Sequence, residues 1–267
     1  DVWFAGILGW GASGIALGTV IAEWTTVLLA GWLVYRTLNQ RKVSADEFWP
    51  KAKIMDWPAL LKTASSNLDI MLRTLILVFS FAFFINQSAK FGDTVLASNH
   101  ILLQLIAFSA FFLDGYAFVV EALVGGAIGA KRSDVFDLAV RRSTVLALIT
   151  AILLALVIAL VGDIAVMLMT DISSVRLAAN QLLPFAALYV LFSFAAFQLD
   201  GIFIGASFTR QMRDAAALSI VVYLIAWWAL SDQHGIQGLW GAMIIYVVAR
   251  AVALLLFYPS LRRSVRG

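Results

Sequence analysis

Seven long apolar runs constrain the fold of this chain more than any other feature of the sequence. Each run reaches or approaches the roughly 20 residues that an α-helix needs to cross a bilayer. The runs cover residues 15–35, 59–87, 96–123, 143–162, 178–204, 214–230 and 238–258. They predict an all-α, polytopic membrane protein with about seven transmembrane helices.

The composition excludes several other classes of protein. Charged residues make up 13% of the chain, whereas a soluble domain typically carries about 25%. The chain has no cysteine, which excludes disulfides and thiolate metal sites. His100 and His234 are isolated in the sequence, so no metal site is expected. No Ser/His/Asp set can be assembled at membrane depth, so we do not expect an enzyme.

Basic residues predict the orientation of the chain in the membrane. Fourteen of the nineteen Lys and Arg residues fall in four segments. These segments are 36–57, 130–142, 205–213 and 259–267. The positive-inside rule places all four in the cytoplasm, with the N-terminus of the chain outside and the C-terminus inside. Because these clusters set topology, they do not indicate a nucleic-acid partner.

Seven charged side chains lie inside the apolar runs, where each costs roughly 2.5–3.5 kcal/mol even on the mildest scale. They are Glu23, Asp69, Arg73, Asp114, Glu121, Asp200 and Arg250. Charges at membrane depth commonly mark the route of an ion or a substrate. We therefore take the five acids and Arg73 as pathway candidates.

Asp114 and Glu121 are seven residues apart, which puts them within about 20° of one another on a helix. Two hypotheses follow: the acids form a ladder for protons or cations, or each is neutralised by an interhelical partner such as Arg73 or Arg250. Under the second hypothesis, Asp114→Asn would impair folding.

Asp69 and Arg73 have the i,i+4 spacing of an ion pair within one helix. Asp200 has no basic partner on its own helix. It lies ten residues before Arg210, which predicts a depth of about 15 Å and a position near the bilayer centre. A lone, desolvated carboxylate suits reversible protonation, so Asp200→Asn is expected to impair coupling and not folding. Glu23 has a similar depth and no nearby base.

Short sequence repeats suggest internal symmetry and close helix contacts. LDGYAF at residues 113–118 recurs as LDGIFI at 199–204, and internal repeats are common in secondary transporters. The glycine pair Gly201/Gly205 has the spacing that permits close packing of two helices. Pro184, inside a predicted span, is expected to kink its helix for packing or for a substrate path.

Several of these segments resemble the multidrug and toxic compound extrusion (MATE) family, in particular its DNA-damage-inducible F type branch. The segments are 67–75 (NLDIMLRTL), 113–130 (LDGYAFVVEALVGGAIGA) and 199–206 (LDGIFIGA) with Met212-Arg213. The turn at 9–22 resembles the entry to the family's sixth helix. The resemblance covers essentially the whole chain.

The resemblance implies twelve helices in two six-helix lobes that alternate access during drug/proton or drug/sodium antiport. Residues 1–43 would be the end of the N-terminal lobe, 44–57 a cytoplasmic linker with a capping box at Ser44 and Glu47, and 58–267 the C-terminal lobe. Because the chain starts at Asp1 and not at Met, we interpret it as a fragment.

The coupling ion is also an expectation from the resemblance. Asp200 occupies about the place of an acid that some sodium-coupled members use, but Arg73-Thr74 stands where their glutamate would be. This departure argues against a sodium site in this lobe. The aspartate that usually couples transport in this branch lies in the family's first helix, which the chain lacks.

We therefore predict a monomeric antiporter of the bacterial inner membrane that exports organic cations and amphipathic toxic compounds. No cofactor is expected beyond the coupling ion, H⁺ in preference to Na⁺. The partners are small-molecule substrates and the lipid bilayer. One alternative is a lipid-linked oligosaccharide flippase of the same fold, and another is a seven-helix membrane receptor.

Overall fold

The computed structural model describes residues 3–41, 48 and 55–266, and all regular structure in these ranges is helical. One π-helical turn, Trp3–Ile7, is followed by α1 (Gly11–Gln40), α2 (Trp57–Ala89), α3 (Asp93–Gly129), α4 (Ser133–Met169), α5 (Ser173–Gly205) and α6 (Thr209–Arg266). A helix satisfies its own backbone hydrogen bonds, as a chain in lipid must. The all-α prediction is confirmed. The predicted capping box at Ser44 and Glu47 lies outside the described residues.

A glycine divides α6 into two membrane spans. Gly235 has φ 54° and ψ −128°, a conformation that essentially only glycine adopts. The 57 residues of α6 from Thr209 to Val265 correspond to about 86 Å of helical rise. That length greatly exceeds the roughly 30 Å of a hydrocarbon core. We call residues 209–234 the first arm and 236–266 the second arm, and together with α1–α5 they give the predicted seven spans.

Several helices continue through segments that the sequence predicts as loops. Helix α4 begins at Ser133, so most of the predicted loop 130–142 is helical. Most of the segment 163–177 between two apolar runs is also helical, and only Thr170–Ile172 separates α4 from α5. The end of an apolar run marks the membrane boundary, but polar residues beyond it remain good helix formers. For this reason the hydropathy pattern underestimates helix length.

The chain forms two compact units, residues 1–61 and 62–267. In the first unit, Gly14 is the only described buried residue of α1, and apolar side chains are exposed all around that helix. Such a surface is typical of a membrane span. In the second unit, α5 is central and packs against α3, α4 and α6. In the most apolar 18-residue segment of each helix, 56% of the residues are buried in α5, against 28% in α3 and in α4.

Helix α2 is packed tightly at only one end. Four of its five buried residues lie between Ser80 and Ser88. The rings of Phe84 and Trp240 pack in a T-shaped arrangement, with centroids 5.0 Å apart. Asn99 of α3 donates from Nδ2 to the Ser88 hydroxyl at 2.8 Å and accepts from Trp240 Nε1 at 3.0 Å. This buried network fixes the end of α2 near Ala89 to α3 and to the second arm of α6.

Candidate substrate and ion pathway

A cavity of about 730 Å³ lies within the second unit. Side chains of α2, α3 and α5 form its walls, and Arg250 enters it from the second arm of α6. Its lining on α3 extends from His100 to Glu121, about 31 Å along the helix. That distance matches the thickness of a bilayer core, and the volume is in the range of small-molecule sites.

Asp200 forms ion pairs with two arginines in the lining of this cavity. Arg250 Nη2 donates to Asp200 Oδ2 at 2.7 Å, and Arg73 Nη2 donates to the same oxygen. The three side chains are between 10% and 16% exposed. The prediction that Asp200 is a lone carboxylate is therefore wrong. Its partners come from α2 and α6, 127 and 50 positions away in the sequence.

The depth argument for Asp200 is also wrong. It treats Asp200 and Arg210 as ten residues apart on one continuous helix. Helix α5 instead ends at Gly205, and Arg210 belongs to α6. Asp200 therefore lies five residues before the end of its helix, about 7.5 Å of helical rise.

Asp69 pairs with a different arginine from the one that the sequence predicts. Arg213 Nη1 donates to Asp69 Oδ1 at 2.7 Å, and the Thr209 hydroxyl lies 3.5 Å from Asp69 Oδ2. Arg73, its expected partner, pairs with Asp200. Buried charges require close counter-charges, and each side chain finds one on a neighbouring helix. Two ion pairs therefore connect this part of α2 to α5 and α6.

Asp114 and Glu121 both line the cavity from α3, as their seven-residue spacing predicts for one helix face. Both side chains are partly buried. Neither has an ion pair or side-chain hydrogen bond with any residue that the structure describes. Asp114 is near enough to Asp200 and Arg73 to interact with both through space. The hypothesis that Asp114 pairs with Arg73 or Arg250 is wrong, because both arginines contact Asp200.

Glycines bring α3 and α5 together beside these acids. A side chain at Gly201 would collide with the backbone of Ala117, and one at Gly205 with the backbone of Glu121. The predicted close packing at Gly201/Gly205 is thus confirmed. Since the two helices touch through backbone atoms here, the relative positions of Asp114, Glu121 and Asp200 are fixed.

Sequence reasoning missed the end of the cavity opposite the charge cluster. His100 and Gln104 line it, followed by Asp114 and Glu121 further along α3. The four polar residues recur at spacings near multiples of 3.5, which places them on one helix face. That pattern could have identified His100, which the sequence analysis considered only as an isolated metal ligand.

Two other candidates lie away from this cavity. Glu23 belongs to α1 in the first unit and is exposed. Pro184 faces a shallow groove between α4 and α5 that it shares with Leu188 and Leu191. Across residues 3–41, 48 and 55–266, no group of three or more His, Cys, Asp or Glu side chains is placed to bind a metal.

Comparisons with known proteins agree with this architecture. A sequence model of the MatE family matches residues 70–228. The chain is 31% identical to DNA damage-inducible protein F of Escherichia coli (strain K12), over 95% of this chain and 54% of that protein. It is 24% identical to Protein DETOXIFICATION 42 of Arabidopsis thaliana, over 94% of this chain and 47% of that protein. The chain thus spans about half the length of these curated relatives.

The fold is also found in a solved structure. The crystal structure of the Vibrio cholerae MATE transporter VcmN in the bent form superimposes with a TM-score of 0.80 at 20% identity, covering 99% of this chain and 59% of that one. At this identity the comparison establishes a shared fold.

Proposed function

We propose, from the premise that this chain belongs to the MatE family, that it is the C-terminal part of a proton-coupled antiporter that exports organic cations and other amphipathic toxic compounds. In this proposal the protein is a monomer in the bacterial inner membrane, with the C-terminus of the chain in the cytoplasm. Protons drive export in preference to sodium. Basic residues in the segments predicted to be cytoplasmic support the orientation.

Membership of the family establishes several general properties of the chain. The predicted family and branch are confirmed, and so is the prediction that the chain is not an enzyme, because its relatives are transporters. The chain is a multi-pass membrane protein. The alternative of a seven-helix receptor is overturned by the family match.

The pair of unpaired acids in the cavity carries the proposal. Asp114 and Glu121 lie on one face of α3, and no described residue forms an ion pair with either of them. A carboxylate in a poorly solvated site can hold a proton or a cation, but not both at once. Competition between a proton and a cationic cargo for such a group produces antiport. The aromatic and aliphatic walls, which include Phe81 and Phe197, suit amphipathic cargo of varied shape.

Asp200 has a different part in this mechanism. Two guanidinium groups already occupy one of its oxygens, so Asp200 is a poor site for a cation. Its charge instead keeps Arg73, and with it α2, against α5. We assign Asp200 to holding the cavity wall, and Asp114 with Glu121 to exchange.

Helix α2 is the wall that this arrangement allows to move. Its end near Ala89 is fixed by the buried network of Ser88, Asn99 and Trp240. Between residues 57 and 79 its only buried side chain is Asp69. The ion pairs of Asp69 and Arg73 are the described polar contacts that hold this half to α5 and α6. Separation of the two pairs would open the cavity at its predicted cytoplasmic end, where cargo enters.

Gradient-driven dye efflux from vesicles containing the full-length protein tests the proposal. We expect an imposed proton gradient to drive efflux and an equal sodium gradient to fail. The double variant Asp114→Asn/Glu121→Gln should lose most proton-driven efflux. The matched control is Asp232→Asn, an exposed acid outside the cavity, which should retain it. Efflux driven by sodium alone would contradict proton coupling, and full efflux in the double variant would remove these acids from the mechanism.

The flippase alternative has one observation in its favour, since two arginines line the cavity. An anionic cargo would need them free. Both contact Asp200, so the described cavity offers such a cargo no unpaired arginine. The cation exporter is therefore the better-supported function.

A further inference from the structure

A two-pronged ion pair joins the first turns of α4 to the last turns of α6. Arg262 donates from Nε to Asp137 Oδ1 at 3.1 Å and from Nη2 to Oδ2 at 2.8 Å. The two side chains remain 45% and 39% exposed. The pair therefore orients the Arg262 guanidinium at the surface without burying it, and three of its N–H groups remain for other partners.

Further arginines extend this surface. Arg141 follows Asp137 by four residues on α4, so it lies on the same helix face as the ion pair. Arg142 is its neighbour, and both are exposed. Arg263 adjoins Arg262. These four arginines, which we call the basic patch, carry three more positive charges than Asp137 can neutralise.

An apolar stripe on α4 leads directly to the basic patch. Leu138, Val145 and Ile149 are 47%, 50% and 49% exposed. With Arg142 included, successive spacings are four, three and four residues, which places all four side chains on one helix face. In a membrane-spanning helix this face contacts lipid, and an arginine within it extends its guanidinium group toward the interface. The patch therefore lies at the level of lipid head groups, not on a surface that faces only water.

We propose that the basic patch is a binding site for the head group of an anionic phospholipid of the cytoplasmic leaflet. Guanidinium forks match the geometry of phosphate oxygens. The cytoplasmic leaflet carries a negative surface potential that attracts arginines next to a membrane helix. The lipid chains would lie along Val145 and Ile149, on the membrane side of Arg142. An acidic soluble protein fits this surface less well, because it would leave the apolar stripe uncovered.

Native mass spectrometry of the purified full-length protein tests this site directly. The probes are phosphatidylglycerol and, as the neutral comparison, phosphatidylcholine. We expect phosphatidylglycerol to bind more tightly, and Arg141→Gln/Arg142→Gln to reduce its affinity by roughly 30-fold, the effect of two charges near a membrane surface. Phosphatidylcholine binding should not change. The control Lys90→Gln removes a positive charge at the opposite membrane face and should leave both affinities unchanged.

Several results would overturn the proposal. These are equal affinity for the two lipids, unchanged phosphatidylglycerol binding in the double variant, or displacement of the lipid by millimolar inorganic phosphate. Capture of an acidic soluble protein by this surface in place of lipid would do the same. If the double variant does not fold, Arg142→Lys keeps the charge but loses the fork, and its affinity for phosphatidylglycerol should fall several-fold.

The proposal rests on the cytoplasmic orientation of this end, but not on transport. Lipid affinity is measured without an ion gradient. A failure to bind lipid would therefore not bear on whether protons drive efflux. Conversely, failure of proton-driven efflux would leave the lipid measurement intact.

Discussion

Asp200→Asn should destabilise the protein far more than Asp114→Asn. The two residues occupy the same position in the repeated Leu-Asp-Gly sequence and line the same cavity. They differ in their partners: Asp200 contacts two arginines, whereas Asp114 has no ion pair among the described residues. Under the hypothesis that Asp114 pairs with Arg73 or Arg250, the sequence predicts the opposite order, with Asp114 needed for folding and Asp200 not.

The magnitude follows from what each substitution leaves behind. Removal of one partner from a buried ion pair costs about 3–5 kcal/mol, because the remaining charge is uncompensated. Asp200→Asn leaves two such charges, on Arg73 and Arg250. The amide oxygen of asparagine can still accept one hydrogen bond from a charged donor, which offsets about 1.5–3 kcal/mol. We therefore expect a net loss of at least about 3 kcal/mol. Asp114→Asn removes no partner and should change stability by less than about 1 kcal/mol.

Thermal unfolding of the full-length protein in detergent measures this difference. The fraction that remains monodisperse after heating is compared among wild type, Asp200→Asn and Asp114→Asn. The double variant Asp200→Asn/Arg250→Gln should recover part of the loss, because it removes one uncompensated charge. This recovery separates a charge effect from a general packing defect.

Wild-type stability in Asp200→Asn would refute the reasoning, because it would mean that the two arginines need no counter-charge. Absence of any recovery in the double variant would also count against it. In that case the loss in the single variant would have a cause other than the uncompensated charge of Arg250.

Three further predictions follow from the packing, the topology and the cavity. Gly201→Ala should cost about 1–3 kcal/mol by overpacking α3, whereas the matched control Gly115→Ala, with open space at that position, should cost nothing measurable in the same unfolding assay. A cysteine at Ser133 should resist an impermeant reagent in intact cells and react after permeabilisation, whereas a cysteine at Lys90 should react in both. His100→Gln should weaken dye efflux, because His100 lines the cavity beside Gln104, and unchanged efflux would exclude His100 from the pathway.

The general fold could be predicted from the sequence because the length of each apolar run shows whether it can cross a bilayer. A segment that crosses as a single chain does so as a helix. The runs 96–123 and 143–162 correspond to α3 and α4. Helix ends could not be predicted in the same way. Residues 133–142 include five polar or charged side chains and are still helical, because a helix can form in water as well as in lipid. The bend at Gly235 falls where the sequence predicts a loop, but it occupies a single residue and not seven.

The candidate site could be predicted in part. Hydropathy alone singles out seven charged side chains, and five of them line the cavity: Asp114, Glu121, Asp200, Arg73 and Arg250. Their pairing could not be predicted, because it depends on contacts between residues 50 to 144 positions apart. Helical spacing reveals which residues share a face of one helix. It contains no information about which face a second helix presents to them.

The two Leu-Asp-Gly segments show how packing assigns different tasks to the same local sequence. In α5 the glycine lies against the backbone of α3, and the aspartate beside it meets arginines from α2 and α6. In α3 the corresponding Gly115 has open space around it, and Asp114 lacks an ion pair in the described structure. Asp200 therefore holds three helices together, whereas Asp114 remains available for the proposed exchange. In the proposed mechanism, the ion pairs of Asp200 with both arginines leave Asp114 and Glu121 available to bind a cation.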